Sequence, residues 1–203
     1  MAELNQSRLE EALHLLGEYL AYDRAEPVRL LVVGGSALLA SGLISRPTFD
    51  LDIMAQRGPL DGEIIDARPL PESLVTAATK VATEMKLSGK WINADFSLLA
   101  FSFEDYPSNF LDDLIDREYG RHLSISFLGR TGQIYLKFHA ATDLGRKRRS
   151  TDLADLQGLR PTSAETRRTL EWMRGHGLIT SANRADFETV LRTLGHDAFI
   201  SAT

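Results

Sequence analysis

The chain has 203 residues, 43% of them hydrophobic and 25% charged, with a formal net charge of -5 and no cysteine. That composition excludes a disordered chain, a disulfide scaffold and a thiolate metal site. It also excludes a global basic field, so a nucleic-acid substrate would need a local patch.

The first twenty residues carry acids where a signal peptide needs a basic start and an apolar run. No apolar stretch approaches the roughly 18 residues that span a bilayer. The expectation is a cytoplasmic protein with no membrane partner.

Leu9, Ala12, Leu13, Leu16 and Leu20 share one helical face, and Ser7 with Glu10 has capping-box spacing, which predicts a first helix. Val28 to Val33 is nearly all apolar and valine-rich, as a buried strand requires. Gly34-Gly35 breaks it, and Ser36 to Leu43 resumes with helix formers. Phe49 to Met54 alternates apolar residues with Asp50 and Asp52, which in a strand sets both carboxylates on one face. A polar loop with Gly58, Pro59 and Gly62 leads to a helix over 71–87, with proline in its first turn.

Residues 90–120 show no dominant period and read as helix and loop. Residues 122–128 alternate as a strand, 129–132 form a turn, and a helix from Gln133 places Leu136, Ala140 and Leu144 on one face. Two closing helices are expected, about 164–174 with Thr162 and Glu165 as a capping box, and about 183–194. The fold class is α/β of the α+β kind, a small mixed sheet flanked by helices. Residues 1–160 read as one domain and 161–203 as a helical extension packed on it.

A glycine pair between strand and helix permits positive φ and close approach of a ligand to the backbone, yet many such turns are purely steric. Asp50 and Asp52 are the stronger signal. Two carboxylates on one face repel unless a cation lies between them, and oxygen ligands of this kind suit magnesium, which completes its shell with substrate phosphates.

The stretch GGSALLASGLISRPTFDLDI resembles the signature of the nucleotidyltransferase superfamily with the DNA polymerase β-like fold. Gly34-Gly35-x-Ala37-Leu38 followed by Arg46-x-Thr48-x-Asp50-x-Asp52 is similar to AbiEii-type and related bacterial nucleotidyltransferases, which include toxins of toxin–antitoxin pairs. Lys137-Phe-His139-Ala-Ala, then Gly145-Arg146-Lys147-Arg148-Arg149 and Asp152-Leu153-Ala154-Asp155-Leu156, resembles the later motif of those proteins. Trp91-Ile92-Asn93 resembles a Trp-Leu-Asn element of some of them.

The resemblance implies that Gly34, Gly35 and Ser36, with Arg46 and Thr48, bind a nucleoside triphosphate. It implies that Asp50 and Asp52 hold one or two Mg²⁺, and that Lys137, Asp152 and Asp155 complete the catalytic set. The implied reaction moves a nucleoside monophosphate to a hydroxyl of RNA or protein, with a cognate antitoxin as partner of a toxin-like member.

Each assignment has a plainer reading: Lys137 snorkelling from a half-buried helix, Asp152 or Thr151 capping one, and the basic run as a solvated face. Arg46 has two readings, a phosphate contact or a tie from the loop to Asp50. Many members carry a third carboxylate on a further strand. Asp95 is the nearest counterpart here, and the uncertain placement of that segment favours, as a second function, a non-catalytic nucleotide-binding module.

Overall fold

The computed structural model describes residues 2–60, 63–98, 103–145, 147 and 149–202. Gly62 of the expected loop and Arg146 and Arg148 of the basic run lie outside the described residues. The chain forms two compact units, residues 1–103 with 113–129, and residues 104–112 with 130–203. Residues 130–160, grouped on sequence with the segment before them, fall in the second unit.

The first unit is built on a mixed sheet. Its strands are β1 (Val28–Val33), β2 (Leu51–Arg57), β3 (Ile64–Asp66), β4 (Ile92–Asn93), β5 (Ile115–Glu118) and β6 (Leu123–Phe127), in the order β3-β2-β1-β6-β5, with β4 pairing β2. β1 runs parallel to β6 and antiparallel to β2.

The helices α1 (Gln6–Tyr22) and α3 (Glu72–Met85) share one apolar core with this sheet. Leu9, Leu13, Leu16 and Leu20 of α1 meet Leu74, Ala77 and Val81 of α3, and Leu30, Val32, Ile53, Ile125 and Phe127 of the sheet. Every other residue of β1 therefore faces this core, as strand periodicity demands. Gly17 lets α1 approach the backbone just after β5, because a Cβ there would lie 2.0 Å from the carbonyl oxygen of Tyr119.

The opposite face of the sheet carries Arg29, Leu31 and Val33 of β1. Register decides which β2 residues join them. Val33 pairs Asp52 and Val32 pairs Ile53, but Leu31 pairs Ala55, so Met54 is an extra residue in a bulge. The bulge shifts the alternation by one and keeps Asp52, Ala55 and Arg57 on a common face.

Several expectations need correction. Asn5, not Ser7, caps α1: its side chain accepts from the Arg8 backbone, while Leu4 pairs with Thr48 and fixes where the chain enters the helix. Gly34 and Gly35 are not a turn between elements but the first residues of α2 (Gly34–Ala40). β2 begins at Leu51, so Asp50 precedes the strand. Pro71 is the N-cap of α3 rather than its first helical residue, and Lys86 ends the helix at φ 56°. The segment read as helix and loop over 90–120 contains β4 and β5.

The second unit is helical: α4 (Arg130–Thr142), α5 (Arg149–Leu159), α6 (Ser163–Gly175) and α7 (Arg184–Thr193). The Thr162–Glu165 capping box of α6 is present with both reciprocal bonds. Arg130 and Thr131, expected in a turn, already belong to α4, and Leu144 lies beyond its end and is exposed rather than facing a core. Residues 104–112 join this unit through Tyr106 and Phe110. Tyr106 stacks on Phe110 and on Trp172, whose indole N–H donates to the Asp105 carbonyl.

Candidate functional site

In the first unit β1 delivers Gly34 and Gly35 to the start of α2, and both positions are pressed by side chains. Gly34 sits at φ +72°, a conformation that L residues other than glycine rarely adopt. A Cβ there would lie 2.7 Å from Oδ2 of Asp52. At Gly35 a Cβ would meet Thr48 Oγ1 at 3.1 Å and Arg46 Nη2 at 3.3 Å. The glycines thus admit Asp52, Thr48 and Arg46 against the backbone, and the motif halves that sequence spacing separated are in contact.

Asp52 and Asp50 are held differently. Asp52 pairs across the sheet with Val33 on one side and Asn93 on the other, and the Asn93 amide donates to its Oδ1 at 3.2 Å. Asp50, in the loop just before β2, accepts from the Thr48 hydroxyl at 3.2 Å. Thr48 is buried and anchored by backbone bonds to Leu4 in both directions. Both carboxylates are partly exposed, so a ligand can reach them. Ser36 is fully buried and its hydroxyl donates to the Val33 carbonyl at 3.3 Å, while Arg46 Nη1 donates to the Pro47 carbonyl.

Asn93 is the residue that sequence reasoning left without a role. The signal was Trp91-Ile92-Asn93 itself. Trp91 is fully buried and donates its indole N–H to Ala78, and its carbonyl accepts from the Leu51 backbone at 2.6 Å, which docks the short strand beside β2. Asp95 follows in a 3-10 turn, exposed, with its backbone N–H on the Asn93 side chain. An amide, not a carboxylate, therefore stands next to Asp52.

No family model, curated protein or solved structure matches this chain.

Two carboxylates supply hard oxygen ligands, and among the described residues no group of three or more His, Cys, Asp or Glu joins them. Zinc favours four protein ligands, or three with a water, commonly including His or Cys. Magnesium is commonly held by one or two carboxylates together with water and substrate phosphates. Asp50 and Asp52 fit the second pattern.

The second unit holds the other predicted residues. Lys137 on α4 bridges Asp152 and Asp155 on α5, with Nζ 2.7 Å from a carboxylate oxygen of each. The three side chains are 6%, 4% and 1% exposed, which makes this a buried cluster rather than a snorkelling lysine and two helix caps. Desolvation makes such a cluster expensive unless its charges are paired, and Lys137 offsets part of the charge of the two carboxylates that it bridges. Arg149, next to the cluster in sequence, donates Nε to the Ala141 carbonyl and forms an ion pair with Asp186. Among the described residues no helix is long and apolar enough to cross a membrane.

Proposed function

We propose that the protein is a Mg²⁺-dependent nucleotidyltransferase that moves a nucleoside monophosphate from a nucleoside triphosphate to a hydroxyl of RNA or protein. The observation that carries the reading is the close packing of Asp52 on Gly34 and of Arg46 and Thr48 on Gly35, with Asp50 hydrogen-bonded to Thr48. Glycines that admit a carboxylate and a guanidinium against the start of a helix bring a cation-binding group and an anion-binding group to one place. Phosphoryl transfer needs both.

Asp50 and Asp52 would hold the magnesium, which supplies charge neutralisation on the triphosphate. Arg46 orients the phosphates. The acceptor oxygen bonds to the α-phosphorus, the bond to the bridging oxygen breaks, and pyrophosphate leaves with its electron pair. The hydroxyl proton passes to a carboxylate base. Lys137, Asp152 and Asp155 belong to this proposal through their motif resemblance, as does a toxin-like role with an antitoxin partner in the cytoplasm.

Each of the four labelled triphosphates is incubated with total RNA and with total protein, with and without magnesium. Label transfer that disappears in Asp50→Asn and Asp52→Asn supports the assignment. Magnesium-dependent nucleotide binding without any transfer points to the second reading, a non-catalytic nucleotide-binding module, which the amide of Asn93 beside Asp52 favours. Absence of nucleotide binding refutes both.

A further inference from the structure

On the sheet face that carries Asp52, but at the far end of the same strands, lies an open groove of about 310 Å³. Arg29, Arg57, Asp116, Glu118, Ser124 and Ser126 contribute to its polar lining, as does Arg117, whose guanidinium is paired with Glu10. Arg29 stands four residues before Val33, the partner of Asp52, so the groove is roughly 13 Å along the sheet from that carboxylate.

One register step beyond the Leu30–Gln56 pair, Arg29 falls opposite Arg57 on the neighbouring strand. Like charges directly across an antiparallel pair are destabilising unless something neutralises them. Among the described residues an acid of the groove bonds Arg57, and none bonds Arg29. Among the described residues Arg57 donates through Nη1, to Ser126 at 2.7 Å and to Asp116 at 3.2 Å, and Asp116 also accepts from Ser126 at 2.5 Å. Glu118 is tied to Ser124 at 2.6 Å. Among the described residues Arg29 makes one bond, of 3.4 Å, to the Gly58 carbonyl. Among the described residues, both guanidiniums line the groove with N–H donors beyond those these bonds use, and Ser126 and Asp116 hold Arg57 in place.

We propose that this groove is a second oxyanion site, taking a phosphate group between Arg29 and Arg57. Two forked guanidiniums offer more donors than one carboxylate can accept. The non-bridging oxygens of a phosphate match them, with bidentate geometry at an arginine. Binding here does not depend on the roles given to Asp50 and Asp52, and it needs no magnesium.

The test is a magnesium-free amide-resonance titration of the full chain, first with inorganic phosphate and then with a single-stranded hexaribonucleotide lacking terminal phosphates. Resonances of Arg29, Arg57 and Ser126 are expected to shift, Arg57→Gln to weaken binding about tenfold, and Arg29→Gln to weaken it similarly. Asp116→Asn removes the competing anion and is expected to tighten binding, a change that a purely structural ion pair would not produce. Because Asp116 is exposed, that variant keeps the test decisive if Arg57→Gln fails to fold.

Saturation by phosphate alone identifies a free phosphate ester as the ligand, and binding of the hexamer identifies a phosphodiester backbone. Shifts confined to other residues, or weaker binding in Asp116→Asn, overturn the proposal. Asp52→Asn should bind phosphate in the groove like the parent chain, so failure of the transfer reaction and failure of this site are separable.

Discussion

Replacing Gly34 by alanine combines two penalties that a neighbouring glycine separates. At φ +72° a Cβ costs about 1–2 kcal/mol from backbone sterics alone. The same Cβ stands 2.7 Å from Asp52 Oδ2, so the carboxylate must swing away and give up the hydrogen bond from Asn93. A bond to a charged group contributes about 1.5–3 kcal/mol, toward the lower end for a partly exposed acid. The expected loss is about 3 kcal/mol.

Gly42→Ala is the control. Gly42 has φ +67° with nothing within 4 Å of its would-be Cβ, so it carries the first penalty without the second. Urea denaturation of both variants, beside magnesium-dependent nucleotide binding, isolates the contact with Asp52. Equal destabilisation of the two, with Gly34→Ala binding the magnesium nucleotide like the parent, would refute the claim that Gly34 exists to admit Asp52.

Lys137→Met should destabilise the second unit by about 3–5 kcal/mol, because two carboxylates remain buried without their ammonium. Adding Asp155→Asn should restore part of that loss, and a loss under about 1 kcal/mol would show that Lys137 is not what stabilises the two buried carboxylates. Gly129→Ala should cost more than about 3 kcal/mol, since its Cβ would lie 1.8 Å from the Asp113 backbone oxygen, whereas Gly89→Ala, with open space around it, should be near neutral in the same denaturation series.

Burial pushes the Glu165 carboxyl up. The Arg130 guanidinium and the Thr162 backbone and hydroxyl outweigh this and hold it below its ordinary value. Its folded pKa being depressed, its stabilisation is full above the unfolded pKa and is lost as pH falls through the folded one. Glu165→Gln should flatten that part of the acid-stability curve, and an unchanged curve would exclude this pair from the acid response.

What could be read from the sequence was what local chemistry fixes. The Thr162–Glu165 capping box and the apolar run of β1 need only their own neighbours. Asn5 and Ser7 both carry capping chemistry, and the pairing of Leu4 with Thr48, forty-four residues away, selects between them. β4 has two residues and β5 reads Ile-Asp-Arg-Glu, too short or too polar for periodicity to reveal, yet β4 is what brings Asn93 to Asp52. The candidate site was legible as residue types, Gly34, Gly35, Asp50 and Asp52. That the glycines make room for Asp52, Thr48 and Arg46 depends on register, which no single strand encodes.

The bulge at Met54 also governs how this chain should be lined up with others. Asp52 and Arg57 are separated by four residues here, a spacing that in a regular strand would send them to opposite faces. A chain one residue shorter, with no bulge, would present the same two groups on the same face. Matching such chains position by position, without a gap, would pair the guanidinium of one with a core residue of the other, so in this strand a one-residue difference in length is the mark of equivalent geometry.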